Sequence, residues 1–202
     1  MGEIVFYTNP MSRGRIVRWM LEETGLPYRT EIVEYPEMKT AAYLAVNPMG
    51  KVPALVHDGS VVTEAAAICA YLAELVPERR LAPPPGDPLR GAYYRWLFFG
   101  AGPIEAVVSL KALKVEPTQE QTRMIGCGGL GDVESTLEAA IGQRSYLVGE
   151  RFTAADLYVG CQLAYGMMFN LIEKRPVFER YCAGLRQRPA FVQAQALDGA
   201  AD

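Results

Sequence analysis

The chain is poor in the residues that hold metals and staple small folds. Its 202 residues include a single histidine, His57, and four cysteines, Cys69, Cys127, Cys161 and Cys182. No two cysteines stand in a CxxC pair. That argues against a zinc site built from Cys and His, and against any mechanism needing two histidines, so no metal is expected. A chain of this length needs no disulfide framework, and the cysteines read as reduced thiols, mostly buried as small hydrophobes, in a cytoplasmic protein. There is no basic run: the formal net charge is -3 and the pI about 5.4, which speaks against a nucleic-acid surface. No apolar run reaches bilayer length, and the opening Met1-Gly2-Glu3-Ile4-Val5-Phe6 has no basic stretch. Neither a membrane span nor a secretory signal is expected. Phe6 stands where myristoylation needs Ser or Thr. What is present is ordinary globular composition, 50% hydrophobic and 21% charged, enough for one large domain or two small ones.

The first eighty residues alternate strand and helix signals. Ile4 to Tyr7 is a short β-branched and aromatic run ended by Asn9-Pro10. Ser12 heads a helical stretch from Arg13 to Thr24, with Ile16, Met20 and Glu23 on one side and Val17, Trp19 and Leu21 widening its apolar face. Gly25 and Pro27 stop it. Tyr28 to Val33 alternates as a second strand, and Lys39 to Val46 forms a short helix closed by Asn47-Pro48. Val52 to His57 and Ser60 to Val62 make a hairpin about Asp58-Gly59, and Thr63 opens a helix through Leu75. The order β-α-β-α-β-β-α predicts an α/β domain with a mostly parallel sheet and an antiparallel edge. Residues 81–88 carry four prolines and read as a stiff linker between a domain over 1–80 and another over 89–202.

Beyond the linker no strand signal appears. Tyr93, Trp96, Leu97, Gly100, Ile104, Val107 and Val108 recur at helical spacing. Gln119–Gln143, Phe152–Leu171 and Val177–Arg188 follow as further helical stretches. Thr153-Ala-Ala-Asp156 is a capping box in its Asp form, in which hydroxyl and carboxylate each accept from backbone N–H groups at the helix start. The second half therefore reads as an all-α domain.

Three places carry chemistry. Ser12 stands between strand and helix, where a hydroxyl, the free N–H groups and the positive helix end can stabilise a thiolate. A plain N-cap explains the same residue. Asn47-Pro-Met-Gly-Lys-Val-Pro53 precedes a strand: with a cis bond at Pro53 the Val52 backbone would present its N–H and C=O to a peptide, and otherwise it is a loop before an edge strand. Thr63-Glu64-Ala65 opens a helix, where N–H groups attract a carboxylate and Glu64 an ammonium, the two charges of an α-amino acid. An acidic residue there is also favoured by the dipole alone.

Taken together, Tyr7-Thr-Asn-Pro-Met-Ser12-Arg13, Asn47-Pro-Met-Gly-Lys-Val-Pro53, Thr63-Glu64-Ala65, the Pro-rich linker and Phe152-Thr-Ala-Ala-Asp156 resemble the glutathione S-transferases over nearly the full chain, in a bacterial-like, serine-type form. The resemblance implies a thioredoxin-like N-terminal domain, an all-helical C-terminal domain, glutathione as co-substrate, an apolar electrophile and a homodimer serving detoxification. It implies that Ser12 bonds the glutathione sulfur, that Val52 pairs its main chain with the cysteinyl unit ahead of cis-Pro53, and that Glu64 and the amide of Ala65 hold the γ-glutamyl end. Lys39 and Lys51 then face the glycyl carboxylate, and Arg13 belongs to the same glutathione-binding set. Two departures stand out. Ala65 lacks the hydroxyl the family usually has there. Tyr7 lies near the position used by tyrosine-type members, and is the alternative to Ser12. A non-catalytic glutathione binder, or an isomerase or dehalogenase on the same fold, are the competing readings.

Other signals are discounted. Gly126-Cys-Gly-Gly-Leu-Gly131 matches GxGxxG but follows a polar helical stretch instead of a strand. Its glycines allow a close helix contact, a local break or a dimer approach. His57 is expected at the surface. Phe98, Phe99, Gly102 and Tyr165 are candidates to line the electrophile site.

Overall fold

The computed structural model describes residues 2–142 and 144–199. The first residue of the proposed domain over 1–80, the last three of the one over 89–202, and Gln143, the expected end of a helical stretch, lie outside them. The chain divides into two compact units, one of residues up to 79 together with those from 188, the other of residues 80–187.

In the first unit, β1 (Ile4–Thr8), β2 (Arg29–Ile32), β3 (Ala54–His57) and β4 (Ser60–Thr63) form one sheet in the order β2-β1-β3-β4. β1 runs parallel to β2, with Val5 opposite Arg29, and antiparallel to β3, with Phe6 opposite Leu55. The mostly parallel sheet expected from the alternation is corrected: of the three pairings only β1–β2 is parallel. The reason is the link from β2 to β3. It holds a single helical turn, Glu37–Lys39, and the four-residue α2 (Ala41–Leu44), short of the full helical crossover that carries a chain back to start a parallel strand. The β3–β4 hairpin turns at Asp58-Gly59, both at positive φ (49° and 78°), as this two-residue turn requires.

Helix α1 (Gly14–Thr24) buries the apolar face expected of it: Ile16, Val17, Trp19, Met20, Leu21 and also Glu23. It ends at Gly25, whose N–H donates to Leu21 O at 3.1 Å. α3 (Ala65–Leu75) buries Ile68, Cys69 and Leu72. On β1, Phe6 is fully buried with Tyr28 edge-on, whereas Tyr7 points to the separate cluster of Val33, Met38 and Tyr43, which Val46 and Val52 also join. The sheet alternation thus sends Tyr7 to the opposite face from Phe6.

The residues from 188 onward group with this unit. Pro189–Leu197 forms α10, a helix the sequence reading did not anticipate. It is fastened to α1. Phe191 meets Trp19 edge-on at 5.0 Å, and Arg188 donates twice to the buried Glu23 carboxylate, at 2.6 and 2.8 Å. Just beyond α10, Arg18 pairs with Asp198 at 3.1 Å. The segment is amphipathic only in its context, since its anchors are side chains on α1, 165 or more positions earlier.

The second unit is all-helical: α4 (Arg90–Phe99), a π turn over Gly100–Ile104, α5 (Glu105–Ala112), α6 (Gln119–Met124), α7 (Leu130–Ile141), α8 (Ala154–Met168) and α9 (Pro176–Arg186). The Pro-rich stretch belongs to it, with Leu81 buried and its carbonyl accepting the Ala154 N–H at 2.8 Å. The glycine cluster breaks one expected helix into α6 and α7. Gly128 takes φ 65°, and the Gly129 N–H donates to Asp132 Oδ2 at 2.8 Å, starting α7 afresh. Three of the four cysteines are buried and Cys127 is half-buried; all four are free thiols.

Candidate active site

The turn out of β1 is built before any side chain in it can act. Asn9 is 4% exposed. Its Nδ2 donates to Val33 O at 3.2 Å, and its Oδ1 accepts the Met11 N–H at 3.0 Å. The Val33 N–H donates to Thr8 O at 2.8 Å, so the turn is tied to the end of β2. Ser12 follows, half-buried at the head of α1. Its hydroxyl donates to Asn9 O at 2.6 Å and accepts the Gly14 N–H at 3.0 Å. Ser12 therefore stands one residue ahead of Arg13, the N-cap of α1, and its bond from the first helical N–H places its oxygen where the free end of the helix field is positive. No acidic residue lies in the first turn of α1 to offset that field. Arg13 is exposed at the helix head. Tyr7 is half-buried on β1, its ring 6.0 Å from that of Tyr43.

The second signal forms around residues 47–53. The Val52–Pro53 bond is cis, the alternative that the family resemblance implies. Tyr43 Oη and Asn47 Nδ2 both donate to Lys51 O at 2.7 Å, and the Met49 N–H donates to Asn47 Oδ1 at 3.0 Å. These bonds fix the strand entry just ahead of Val52. Asn47 and Tyr43 are supports that the sequence reading did not assign, although Asn47 begins the motif. Burial, followed by the nearby Tyr7, pushes the Tyr43 hydroxyl up to about 12 from its ordinary value of 10.0, while a bond with Asn47 lowers it. Lys39 is exposed and donates from Nζ to Met49 O at 2.7 Å, and Lys51 is exposed. Both lysines thus belong to the Met49–Lys51 bend.

The third signal is at the head of α3. Glu64 stands there at φ 69°, ψ 118°, a region that a residue with a Cβ seldom occupies at a cost of about 1–3 kcal/mol. Its side chain is exposed and does not cap the helix, while its carbonyl accepts the Ile68 N–H at 2.9 Å. Ala65, the first helical residue, is 8% exposed. The first-turn N–H groups keep the partial positive charge of a helix N-terminus, and no acidic side chain lies in that turn. The combination of an exposed carboxylate held in an unusual backbone geometry and a positive helix end suits a group bearing both an ammonium and a carboxylate.

The remaining candidates fall elsewhere. His57 is not at the surface: it is 8% exposed, with Nδ1 2.8 Å from Tyr71 Oη. The tertiary cause is α3, which lays Tyr71 over the end of β3. Phe98, Phe99, Gly102 and Tyr165 all lie in the helical unit. Phe98 is 73% exposed, Phe99 packs edge-on against Trp96 at 5.4 Å, and Gly102 sits in the π turn. Among the described residues no group of His, Cys, Asp and Glu could hold a metal, and no helix is long and apolar enough to cross a membrane.

A β-α-β-α-β-β-α unit with a cis-proline ahead of β3, followed by an all-helical unit, defines the class of thioredoxin-like, two-part proteins. Residues 11–75 match the glutathione S-transferase N-terminal domain family and residues 98–189 the glutathione S-transferase C-terminal domain family. The chain is 32% identical over 160 residues to glutathione S-transferase GstA of Escherichia coli O157:H7, covering 78% of each protein. It is also 32% identical over 189 residues to the maleylacetoacetate isomerase of Pseudomonas aeruginosa, covering 88% of each. A glutathione transferase structure from Methylococcus capsulatus superposes with a TM-score of 0.81 at 30% identity, over 97% of this chain and 98% of that one. The chain belongs to the glutathione S-transferase family: it is an enzyme of that class, with glutathione as its co-substrate.

Proposed function

We propose that the protein binds glutathione along β3, Glu64 and the head of α3, and that Ser12 activates its thiol for attack on an apolar electrophile. A free thiol with a pKa near ~8.5 is mostly protonated at neutral pH. The sulfur proton leaves to solvent, and the remaining thiolate is held by one hydrogen bond from Ser12 and by the positive end of α1. The thiolate then forms a carbon–sulfur bond; in a substitution the leaving group departs with its electron pair, and in an addition the displaced π pair moves to a neighbouring atom that takes a proton from solvent. Val52 offers its main chain to the cysteinyl unit ahead of Pro53, and Glu64 with the Ala65 amide takes the γ-glutamyl end. Lys39, Lys51 and Arg13 supply positive charge for the glycyl end and its surroundings. The observation that carries this reading is the Ser12 hydroxyl, at hydrogen-bond distance from the first helical N–H of α1. The apolar character of the electrophile is supported by Met11, next to Ser12 and 76% exposed, and by Tyr35, 59% exposed, whose hydroxyl donates to Met11 O at 3.0 Å.

A hydrogen bond to a charged partner is worth about 1.5–3 kcal/mol, or roughly one to two pKa units. Ser12→Ala should therefore raise the thiol pKa of bound glutathione by about one unit or more, read from thiolate ultraviolet absorbance against pH. An unchanged pKa in Ser12→Ala with a raised one in Tyr7→Phe would transfer the role to Tyr7. Glutathione-affinity retention with turnover of a chlorodinitrobenzene-type substrate separates an enzyme from a scaffold that only binds.

A second reaction on the same site is favoured by the 88% coverage of a maleylacetoacetate isomerase. There the thiolate would add to the substrate and be expelled again after rotation. Turnover of maleylacetoacetate that depends on glutathione without consuming it would select this reaction. The serine-type, bacterial-like assignment, a homodimer, a cytoplasmic location and a role in detoxification complete the proposal, on the strength of the family motifs.

A further inference from the structure

We infer that Asn9 is a positioning residue for Ser12, a role that rests on Ser12 being the hydroxyl that faces the glutathione sulfur. Asn9 is buried at the turn out of β1, and its side chain is used at both ends. Nδ2 donates to Val33 O at 3.2 Å and lies 3.5 Å from Glu34 Oε2, while Oδ1 accepts the Met11 N–H. With the Val33 N–H donating to Thr8 O, the turn is tied twice to the end of β2. A turn held in this way has a fixed carbonyl. That carbonyl, Asn9 O, accepts the Ser12 N–H at 3.1 Å and the Ser12 hydroxyl at 2.6 Å.

Ser12 has one proton to donate. While that proton lies on Asn9 O, the oxygen offers a sulfur only its lone pairs, which a thiolate repels. Turning the O–H bond about Cβ–Oγ moves the proton to the sulfur without moving the oxygen. The Gly14 N–H keeps that oxygen in place and, by polarising it, makes the hydroxyl a better donor. Asn9 O keeps the Ser12 N–H, so the carbonyl is not orphaned by the exchange. The anchored turn thus does two things: it holds Ser12 Oγ at the head of α1, and it sets the competing acceptor that the sulfur must displace. Loosening the turn lets the oxygen drift, so the thiolate loses part of its hydrogen bond.

The test is a double-mutant cycle read on the thiol pKa of bound glutathione, with Ser12→Ala, Asn9→Ala and the pair. Asn9→Ala is expected to raise that pKa by about half a unit or more, and to lower kcat/KM at neutral pH about threefold. In the Ser12→Ala background it is expected to add nothing. Asn9→Asp keeps the shape and the acceptor for the Met11 N–H but loses the donor to Val33 O, and serves if Asn9→Ala does not retain glutathione. A through-space effect of its added charge would persist without Ser12, whereas an effect acting through Ser12 would vanish. The Asn9 role is overturned if the Asn9 variants leave the pKa at the wild-type value, or shift it equally with and without Ser12. A Ser12→Ala variant whose thiol pKa is unchanged overturns the Ser12 reading itself, and the Asn9 role with it.

Discussion

Asp156 anchors the helical unit, and its removal should be among the most damaging single changes in that unit. The carboxylate is fully buried at the start of α8. Oδ2 accepts the Thr153 N–H at 2.8 Å and the Thr153 hydroxyl at 3.0 Å; Oδ1 accepts the Leu147 N–H at 2.6 Å and the Tyr181 hydroxyl at 2.9 Å. One side chain therefore joins the loop at 147, the head of α8 and helix α9. Asp156→Ala leaves two backbone N–H groups and the Tyr181 hydroxyl buried without this partner, at about 1–3 kcal/mol each. Part of that is returned. Burial holds the carboxyl above its ordinary pKa range against the pull of four donors, so removing the charge relieves a desolvation cost. The net loss should be about 3–5 kcal/mol. For a chain of this length each kcal/mol moves the midpoint by about 2–4 °C, so the thermal transition should fall by about 6–20 °C. Far-ultraviolet circular dichroism against temperature reads it. Tyr181→Phe removes a donor and leaves Oδ1 its bond from Leu147, and should cost only about 1 kcal/mol. If Asp156→Ala lies within about 1 kcal/mol of wild type, the carboxylate is not the anchor the geometry makes it.

Three further outcomes follow from the first unit. Glu23→Ala should cost about 2–4 kcal/mol, because Trp19 Nε1, donating at 2.9 Å, and the Arg188 guanidinium both lose their buried acceptor; hydrogen exchange should show α10 opening before α1, and equal protection of both would refute the coupling. Gly14→Ala should cost about 1–3 kcal/mol, since the new Cβ falls 1.9 Å from the buried Thr8 Oγ1 and 3.0 Å from Ser12 Oγ, and a urea midpoint equal to wild type would show that Thr8 yields freely. Tyr43 has a folded-state value of about 12 against 10.0 when unperturbed, so its contribution is fully present below pH 10 and is lost as pH rises through 12. The stability advantage of wild type over Tyr43→Phe should therefore hold steady to pH 10 and shrink between pH 10 and 12 in urea titrations. A gap that stays constant across that window would show that the hydroxyl is not protected.

Much of the candidate site's local geometry was legible because its parts are local. Ser12, the cis-proline motif and Glu64-Ala65 each sit at a strand–helix boundary, and such boundaries are marked by short-range signals: a hydroxyl, a proline, a residue ahead of a helix. The supports were not legible in the same way. Asn9 has the look of an ordinary turn residue until Val33, 24 positions on, comes into register beside it. Tyr43 looks like a core residue of a short helix until its hydroxyl meets Lys51 O. His57, next to a turn, is surface by pattern and buried by the arrival of Tyr71.

By itself the sequence determined the order and type of the elements in the first eighty residues, the hairpin turn at Asp58-Gly59 and the apolar face of α1, because each depends on residues within a few positions of one another. Only the tertiary structure decided the direction of β3, the break at the glycine cluster, the return of α10 onto α1 and the fixed carbonyl behind Ser12. Each of these is settled by contacts between distant segments or by backbone angles that several residue types could have adopted, and their energies appear only once the chain has closed on itself.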